Sequence, residues 1–446
     1  MSAPRPIERA AERLRELPNR LGTKGLIATG VGLLAALVVV LVVTDPFGGG
    51  GKTETRVVTI AVATDNAQQA PVGTLGFPLV ATRNTTRISG PDPTADAAAA
   101  ALATHPPAPG VKPPQAAIVV PDDDWQAGIA ASVLVGPPTR MPVLISGESS
   151  VPDATAQALT QLNPSGAGTS GGISVYSAGG AAVPSGFHGG ELHGNSAAEI
   201  ADQFDQLRQR LMKREPEHTV VVSSDEPGYA MPAAAWAARS GDPVLFAGRN
   251  DVPAPTLAAL RRHAAAAVYV LGPESVISKA VVSQIGRVSA SVQRVGASGV
   301  VQNALSFARY TDGTFGWNLN DPGHGMELAN SDRPLDAAAA AALASSGKWG
   351  PLLLTDSADT LPPELRGFLL DIKPGYATDP TRAAYNHIWL MGDATAIGGE
   401  VQAEIDELAE LAPIANAGQG TSAGGGIGQP PAVESEPNPT QQQGKK

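Results

Sequence analysis

The sequence predicts an α/β fold made of three repeated βαβ modules with parallel sheets, preceded by one transmembrane helix. Three observations predict it. Four sequence marks recur three times in the same order, the strands are continuous apolar runs, and a long apolar segment follows a basic N-terminal leader. Continuous apolar strands are typical of parallel sheets that helices cover on both faces. Strands that alternate with helices through short loops form βαβ units with right-handed crossovers.

The transmembrane helix comes first along the chain. From Gly25 to Val43 every residue is apolar or small except Thr29, and a helix of that length crosses a hydrocarbon core of about 30 Å. Basic residues before it favour a cytoplasmic N-terminus, with the rest of the chain outside the plasma membrane. A cleaved signal peptide is the alternative, but residues 44–47 offer no small-x-small cleavage site. We therefore predict an uncleaved anchor over residues 25–44 and a basic leader over residues 1–24.

Internal repetition is the strongest signal in the chain. The first mark is a strand end followed by a glycine and an Ala-rich helix, and the second is a strand led by proline. The third is a helix start that contains proline, and the fourth is a strand that ends in glycine. Glycine permits a tight turn, and proline suits the first turn of a helix. The marks stand at Gly90, Gly194 and Gly296, at Pro142, Pro243 and Pro351, at Pro152, Pro253 and Pro362, and at Gly179, Gly272 and Gly392.

The copies define the predicted domain organisation. The third copy carries an irregular insertion from Thr311 to Met326, which is rich in Gly, Asn and Asp. The end of the chain is rich in Gly, Ser, Pro and Gln, and this composition predicts disorder. We therefore predict a linker and lead-in over residues 45–81, repeat modules over residues 82–187, 188–292 and 293–414, and a disordered tail over residues 415–446.

Composition limits the possible functions. The net charge of −11 argues against nucleic acid as a partner, because binding to phosphates depends on clustered Lys and Arg. The chain has no cysteine, which excludes disulfides, thiol chemistry and metal sites built on cysteine. With 16% charged and 4% aromatic residues but 50 glycines and 39 prolines, the sequence indicates a loop-rich fold and not a coiled coil.

The repeat marks resemble those of the type 2 cell-wall-binding repeat family. Thr86-Arg87-Ile88-Ser89-Gly90 matches the family's opening Arg-Ile-x-Gly pattern, and Pro351 to Thr355 matches its Pro-Leu-Leu-Leu strand. The family's second arginine is replaced by Pro93 in the first copy. The resemblance implies three Rossmann-like modules around a pseudo-threefold axis, in a membrane-anchored envelope protein of actinobacterial type. It also implies non-covalent binding of envelope polymers, which are often anionic.

An acidic chain that binds an anionic polymer needs local basic patches. We expect such patches where Arg239 accompanies Arg249, where Arg261 accompanies Arg262, and at Arg294. The alternative interpretation of these arginines is an ordinary solvated surface.

Acidic and aromatic residues follow two of the predicted strands. Asp122 to Asp124 and Asp225-Glu226 lie at carboxyl ends of strands, the edge at which open α/β sheets bind ligands. Paired carboxylates there would suit glycoside hydrolysis, but charges at helix N-termini explain them as well. Aromatic residues near these positions either stack on sugars or pack in the interior. Of these groups we include Asp124, Trp125 and Tyr229 among the predicted ligand-binding residues, and leave Trp317 and Trp349 open.

No metal or cofactor is predicted. His188 and His193 are five residues apart at a strand-to-helix turn, which is not the spacing of helical zinc ligands. The glycines after the strands form no Gly-x-Gly-x-x-Gly motif for a nucleotide.

The predicted function is a non-catalytic, membrane-anchored envelope protein that binds cell-wall polymer. A fold that repeats without a repeated acid, base or nucleophile favours binding over catalysis. The alternatives are a wall-glycan hydrolase that uses the carboxylates at the sheet edge, and a scaffold for other envelope proteins. Release of sugar from wall material would distinguish the hydrolase from the binder, and absence of both activities would favour the scaffold.

Overall fold

The computed structural model describes residues 80–88, 90–346 and 350–414, and two short strands nearer the N-terminus. The chain forms two compact units, residues 1–69 and residues 70–446. The predicted basic leader and the predicted disordered tail lie outside the described residues, as does Trp349.

The two N-terminal strands form an antiparallel pair. Strand β1 (Val38–Leu41) pairs with β2 (Arg56–Thr59), with Val38 opposite Thr59. A strand thus stands where the end of the transmembrane helix was predicted, and its β-branched valines favour the extended backbone. The rest of the predicted span lies outside the described residues. Among the helices that the structure describes, none combines the length and the apolar character needed to cross a membrane.

The larger unit contains the remaining strands. They are β3 (Val80–Ala81), β4 (Thr85–Ile88), β5 (Ala117–Pro121), β6 (Val143–Ser146), β7 (Val175–Ala178), β8 (Gly189–Leu192), β9 (His218–Ser223), β10 (Val244–Ala247), β11 (Ala267–Leu271), β12 (Ser291–Val295), β13 (Gly325–Asn330), β14 (Leu352–Thr355), β15 (Gly375–Tyr376), β16 (His387–Met391) and β17 (Ala412–Pro413).

Helices alternate with these strands. They are α1 (Pro93–Thr104), α2 (Trp125–Ala131), α3 (Asp153–Leu162), α4 (Ala197–Met212), α5 (Pro227–Ala230), α6 (Pro232–Ser240), α7 (Ala254–Arg262), α8 (Lys279–Ile285), α9 (Val300–Arg309), α10 (Asp336–Ala344), α11 (Pro363–Asp371) and α12 (Gly399–Leu408). A 3-10 turn, Ser132–Leu134, extends α2.

The strands form three sheets with one topology. Module 1 has the order β6-β5-β7-β8, module 2 the order β10-β9-β11-β12, and module 3 the order β14-β13-β16-β4. All neighbours in these orders are parallel; β3 adds an antiparallel strand at the edge of module 3, and β15 pairs separately with β17. The predicted α/β fold with parallel sheets is therefore confirmed.

The fourth strand of each sheet comes from the neighbouring sequence copy. Strand β8 opens the predicted second copy but lies in module 1, and β4 opens the predicted first copy but pairs with β16 in module 3. The boundaries between the sheets therefore lie at residues different from the predicted boundaries between the sequence copies. Because β4, which precedes the other strands of module 1 in the chain, completes the sheet of module 3, the three modules form a closed ring.

Three equivalent helices meet at the centre of the ring. Helix α2 with its 3-10 turn, α6 and α10 each follow the first strand of their sheet, and they pack against one another. Every residue of α10 is buried. Small side chains permit this approach: a Cβ atom at Gly136 would lie 1.9 Å from the Ala238 carbonyl oxygen. One hydrophobic core therefore runs through all three modules.

The glycines of the first mark occupy equivalent turns. Gly90, Gly194 and Gly296 follow β4, β8 and β12 and precede α1, α4 and α9. Close packing and not a positive φ requires them, since a Cβ atom at Gly194 would lie 2.8 Å from the Ile200 amide nitrogen. At the N-termini of two of these helices, the side chains of Asp92 and Ser196 accept hydrogen bonds from backbone amides.

Candidate functional site

The predicted acidic and aromatic residues at the carboxyl ends of the strands have different environments: Asp124 caps a helix of its own module, and Trp125 and Tyr229 contact other segments. Asp124 caps α2, because its carboxylate accepts a hydrogen bond of 2.8 Å from the Ala127 amide. Burial raises the pKa of Asp124, although that hydrogen bond opposes the shift. The Trp125 ring lies edge-on to Phe246 of module 2, with 5.9 Å between centroids. The Tyr229 hydroxyl oxygen accepts a 3.0 Å hydrogen bond from the Gly299 amide.

Arg294 has a structural role, which corrects its prediction as a polymer contact. It is 3% exposed, and its guanidinium donates to the carbonyl oxygens of Gly272 and Ile277 at 2.6 and 2.7 Å. Arg87 makes the equivalent contact in module 3, where it donates to the Gly392 carbonyl at 2.9 Å. These arginines hold the turn that follows the third strand of their sheets.

Arg262 connects two helices of module 2. It forms ion pairs with Asp202 and Asp205 of α4, the second with an N–O distance of 2.6 Å. His263 also contacts Asp205, at 2.7 Å. Burial opposes ionisation of Asp205, but hydrogen bonds from His263 and Arg262 outweigh it and lower the pKa. Arg262 is therefore engaged within the fold, whereas its predicted companion Arg261 is exposed.

The structure separates Arg239 from Arg249, which were predicted to form one patch. Both side chains are exposed. Arg239 lies in the last turn of α6, at the amino end of the module 2 strands, and Arg249 follows β10 at their carboxyl end. Arg261, in the last turn of α7, lies at the same end as Arg239 because both helices run antiparallel to the strands.

A cavity of about 590 Å³ lies at the amino ends of the strands of modules 2 and 3. Its volume is within the usual range for ligand pockets. Module 2 supplies the start of β9 and the end of α6, and module 3 supplies the insertion. The lining residues include His218, Trp236, Arg239, Thr314, Trp317 and His324.

The predicted insertion is folded over the amino end of module 2. Phe315 is fully buried, and its ring stacks on Tyr269 with 3.6 Å between centroids. Trp317 lies edge-on to Trp236, at 5.5 Å. Glycines with positive φ at positions 313 and 316 permit the tight path between these anchors. The insertion is thereby fixed against module 2, and Thr314, Trp317 and His324 of the insertion line the cavity.

Polar groups in the cavity wall are linked in a chain. The His218 ring contacts Asp242 through Nδ1 at 3.1 Å and Thr314 through Nε2 at 3.2 Å. The Trp236 indole N–H donates to the same Asp242 carboxylate at 3.0 Å. Sequence reasoning missed these residues; the only sequence signal was the insertion itself, since Thr314 and His218 are 96 residues apart.

Neither predicted histidine of the Gly-rich turn lies in a cluster of metal-ligating groups. His193 contacts Glu191 at 3.2 Å, with both side chains largely exposed. His188 contacts the Gly172 carbonyl oxygen at 2.5 Å. Throughout the part of the chain that the structure describes, no group of three or more His, Asp or Glu residues is placed to hold a metal ion.

Comparisons with known proteins give one family match over part of the chain and two solved structures with a similar fold. Residues 194–282 match the family described as Cell wall binding domain 2 (CWB2). Two solved structures have a similar fold. Cwp6 from Clostridium difficile has a TM-score of 0.55 and 14% identity, over 82% of this chain and 51% of Cwp6. Cwp8 from Clostridium difficile has a TM-score of 0.55 and 18% identity, over 74% of this chain and 52% of Cwp8.

This chain therefore spans about half the length of each of these two proteins. No curated protein gives a match. The resemblance predicted from the sequence is confirmed over residues 194–282, which match the cell-wall-binding family.

Proposed function

We propose that the protein is a membrane-anchored envelope protein whose three modules bind a cell-wall polymer without altering it. The observation that carries the proposal is the match of residues 194–282 to a cell wall binding domain, within a ring of three equivalent sheets. Several weak sites on one rigid body give avidity that a single weak site lacks. The anchor over residues 25–44, with the repeats outside the membrane, is part of the proposal.

Two exposed arginines are the proposed contacts to anionic groups of the polymer. Arg239 lines the cavity, and Arg261 lies at the same end of module 2. Arg249 is also exposed, but it follows β10 at the opposite end of the module 2 strands. The amino end of module 2 is therefore one surface that we assign to polymer binding.

A binding role is also supported by the state of the carboxylates at the opposite end. Asp124 is occupied as a helix cap, and Asp336 of module 3 is paired with Arg333 at 2.8 Å. Adjacent carboxylates follow β5 and β9, whereas Asp332 stands alone after β13, so the pair does not recur in all three modules. A wall-glycan hydrolase at Asp122 to Asp124 remains the second candidate, and it predicts release of sugar.

The proposal is tested by sedimentation of the full-length protein with purified cell wall. We expect co-sedimentation without release of sugar, and weaker binding as salt rises, because exposed charges are screened over about 10 Å at 0.1 M. The double variant R239E/R261E should bind about 5- to 30-fold more weakly, since two reversed contacts cost about 1–2 kcal/mol.

The matched control is R249E, which makes the same charge change at the other end of module 2. It should bind like the wild type. If the wild-type protein does not sediment with the wall, the binding proposal is wrong; if R249E alone loses binding, the polymer lies at the carboxyl end.

A further inference from the structure

Three side chains beside the cavity have the order of an acyl-transfer triad. They are the hydroxyl of Thr314, the imidazole of His218 and the carboxylate of Asp242. Thr314 Oγ1 lies 3.2 Å from His218 Nε2, and His218 Nδ1 lies 3.1 Å from Asp242 Oδ2. In such triads the carboxylate fixes the histidine tautomer, and the far ring nitrogen accepts the proton of the hydroxyl.

The carboxylate of Asp242 is held firmly. It is 2% exposed, and it accepts hydrogen bonds from the His218 backbone amide at 3.1 Å and from the Trp236 indole at 3.0 Å. An ionised carboxylate only accepts hydrogen bonds, so His218 Nδ1 carries the proton toward Asp242. The Nε2 atom is then the basic nitrogen, and it faces Thr314.

The imidazole has little freedom to turn away. Its ring lies edge-on to Tyr269 at 5.6 Å and to Phe315 at 5.4 Å between centroids. Both rings belong to the stacked pair that fixes the insertion against module 2. The insertion therefore positions the base as well as the hydroxyl.

Thr314 is exposed and lines the cavity, so a substrate can reach its hydroxyl. The Trp317 side chain and Arg239 line the same space, which suits a substrate with an apolar face and a polar or anionic group.

We propose that Thr314, His218 and Asp242 hydrolyse acyl esters of small alcohols. Thr314 Oγ1 attacks the ester carbonyl carbon while its proton passes to His218 Nε2. The bond from that carbon to the alkoxy oxygen breaks, and the alcohol leaves with the proton. Water, deprotonated by His218, then attacks the acyl-threonine and releases the carboxylic acid. One ester and one water give one acid and one alcohol, and the hydroxyl is restored.

This site occurs once in the described ring. The segment between α4 and β9 of module 2 is short, whereas the corresponding segment before β13 of module 3 carries the insertion. The activity is therefore additional to the polymer binding shared by the modules, and it does not depend on that proposal.

The test uses the full-length protein with p-nitrophenyl acetate and with an alkyl fluorophosphonate. We expect hydrolysis, and covalent labelling of Thr314 that peptide mass spectrometry locates. Thr314→Val replaces the hydroxyl by a methyl group of the same size at an exposed position. It should abolish the labelling and lower kcat/KM by about 10²- to 10⁴-fold. Thr314→Ser keeps a hydroxyl and should retain both signals.

The matched control is Thr311→Val, an exposed threonine of the same insertion that does not line the cavity. It should hydrolyse and label like the wild type. The proposal is overturned if Thr314→Val hydrolyses the ester as fast as the wild type, or if the wild type neither hydrolyses nor labels. Wall sedimentation of the same preparations reports separately on polymer binding, so the two failures are distinguishable.

Discussion

Glu327 is a fully buried acid in the middle of β13. It lies opposite Leu352 of β14 and Trp389 of β16, and its carboxylate oxygens have no hydrogen-bond partner among the described residues. Burial raises its pKa well above the ordinary value of 4.5. The folded protein thus holds this proton to a higher pH than the unfolded chain does. The contribution of Glu327 to the free energy of unfolding is therefore greatest below about pH 4.5 and declines as pH rises above it.

Glu327→Leu should stabilise the protein at pH 7. The change removes an unpaired buried acid and fills similar space, which is worth about 1–4 kcal/mol. The gain should be smaller at pH 5, where the unfolded chain also holds the proton more often. Chemical denaturation at both pH values measures the difference. The exposed Glu400→Leu is the control, with an expected change within about 0.5 kcal/mol. A loss of stability in Glu327→Leu at pH 7 would contradict this account.

At the scale of elements, one ion cluster joins α1 of module 1 to α10 of module 3. Arg333 pairs with Asp96 at 2.5 Å and with Asp336 at 2.8 Å, and both carboxylates are buried. Asp96 also accepts a 2.7 Å hydrogen bond from the Gly90 amide. Burial raises the pKa of Asp336 to about 6 and that of Asp96 well above 3.8, while Arg333 opposes both shifts. The cluster closes the contact between the first and last modules.

Arg333→Met should lower the free energy of unfolding by about 3–5 kcal/mol at pH 7, because it leaves two buried carboxylates without a cation. The loss should shrink at pH 5, since both raised pKa values favour protonation of the pair in the folded protein. Denaturant unfolding at the two pH values tests this. Arg382→Met, at an exposed position of module 3, should change stability little. Equal losses of the free energy of unfolding at pH 5 and pH 7 would show that the charge of Arg333 is not the cause.

The elements that could be predicted from the sequence are those whose signal is local. Gly90, Gly194 and Gly296 stand at equivalent turns, as the repeated marks predicted, because a strand, a tight turn and a helix follow one another in the chain. The sequence did not predict that Arg239 and Arg249 lie at opposite ends of the module 2 sheet. Strand β10 lies between them and carries the chain about 3.3 Å per residue across the sheet.

Contacts between distant segments could not be predicted in the same way. The pairing of β4 with β16 depends on the closure of the whole ring, and no local pattern in either strand encodes it. His218 and Asp242 lie in one module, but Thr314 reaches them only because Phe315 packs on Tyr269. The candidate cavity could therefore not be predicted from a local sequence pattern, because its wall combines segments of two modules.

At the scale of the whole molecule, closure of the ring means that the sheet of module 3 requires β4, near the start of the larger unit. Ile88 of β4 is fully buried, and Arg87 donates to two carbonyl oxygens that follow β16. Thr82 and Asn84 also contact Asp406 of α12. The third sheet is incomplete without this segment.

Deletion of residues 1–90 should therefore destabilise the ring by at least about 5 kcal/mol, from lost burial of Ile88 and lost hydrogen bonds. Deletion of residues 1–79 keeps β3 and β4 and serves as the matched control. We expect its Tm to be close to that of the larger unit in the full-length protein. Calorimetry and hydrogen exchange at β16 measure the effect. Equal Tm values for the two deletions would show that β4 is dispensable.

The pairing of β4 with β16 also has a consequence for how the chain is made. Arg87 and its partner Gly392 are 305 residues apart. At a synthesis rate of roughly 5–20 residues per second, β16 is synthesised on the order of 15–60 s after β4. During that interval its exposed edge is open to wrong partners. We therefore expect the nascent chain to need protection by a holding chaperone until β16 has emerged.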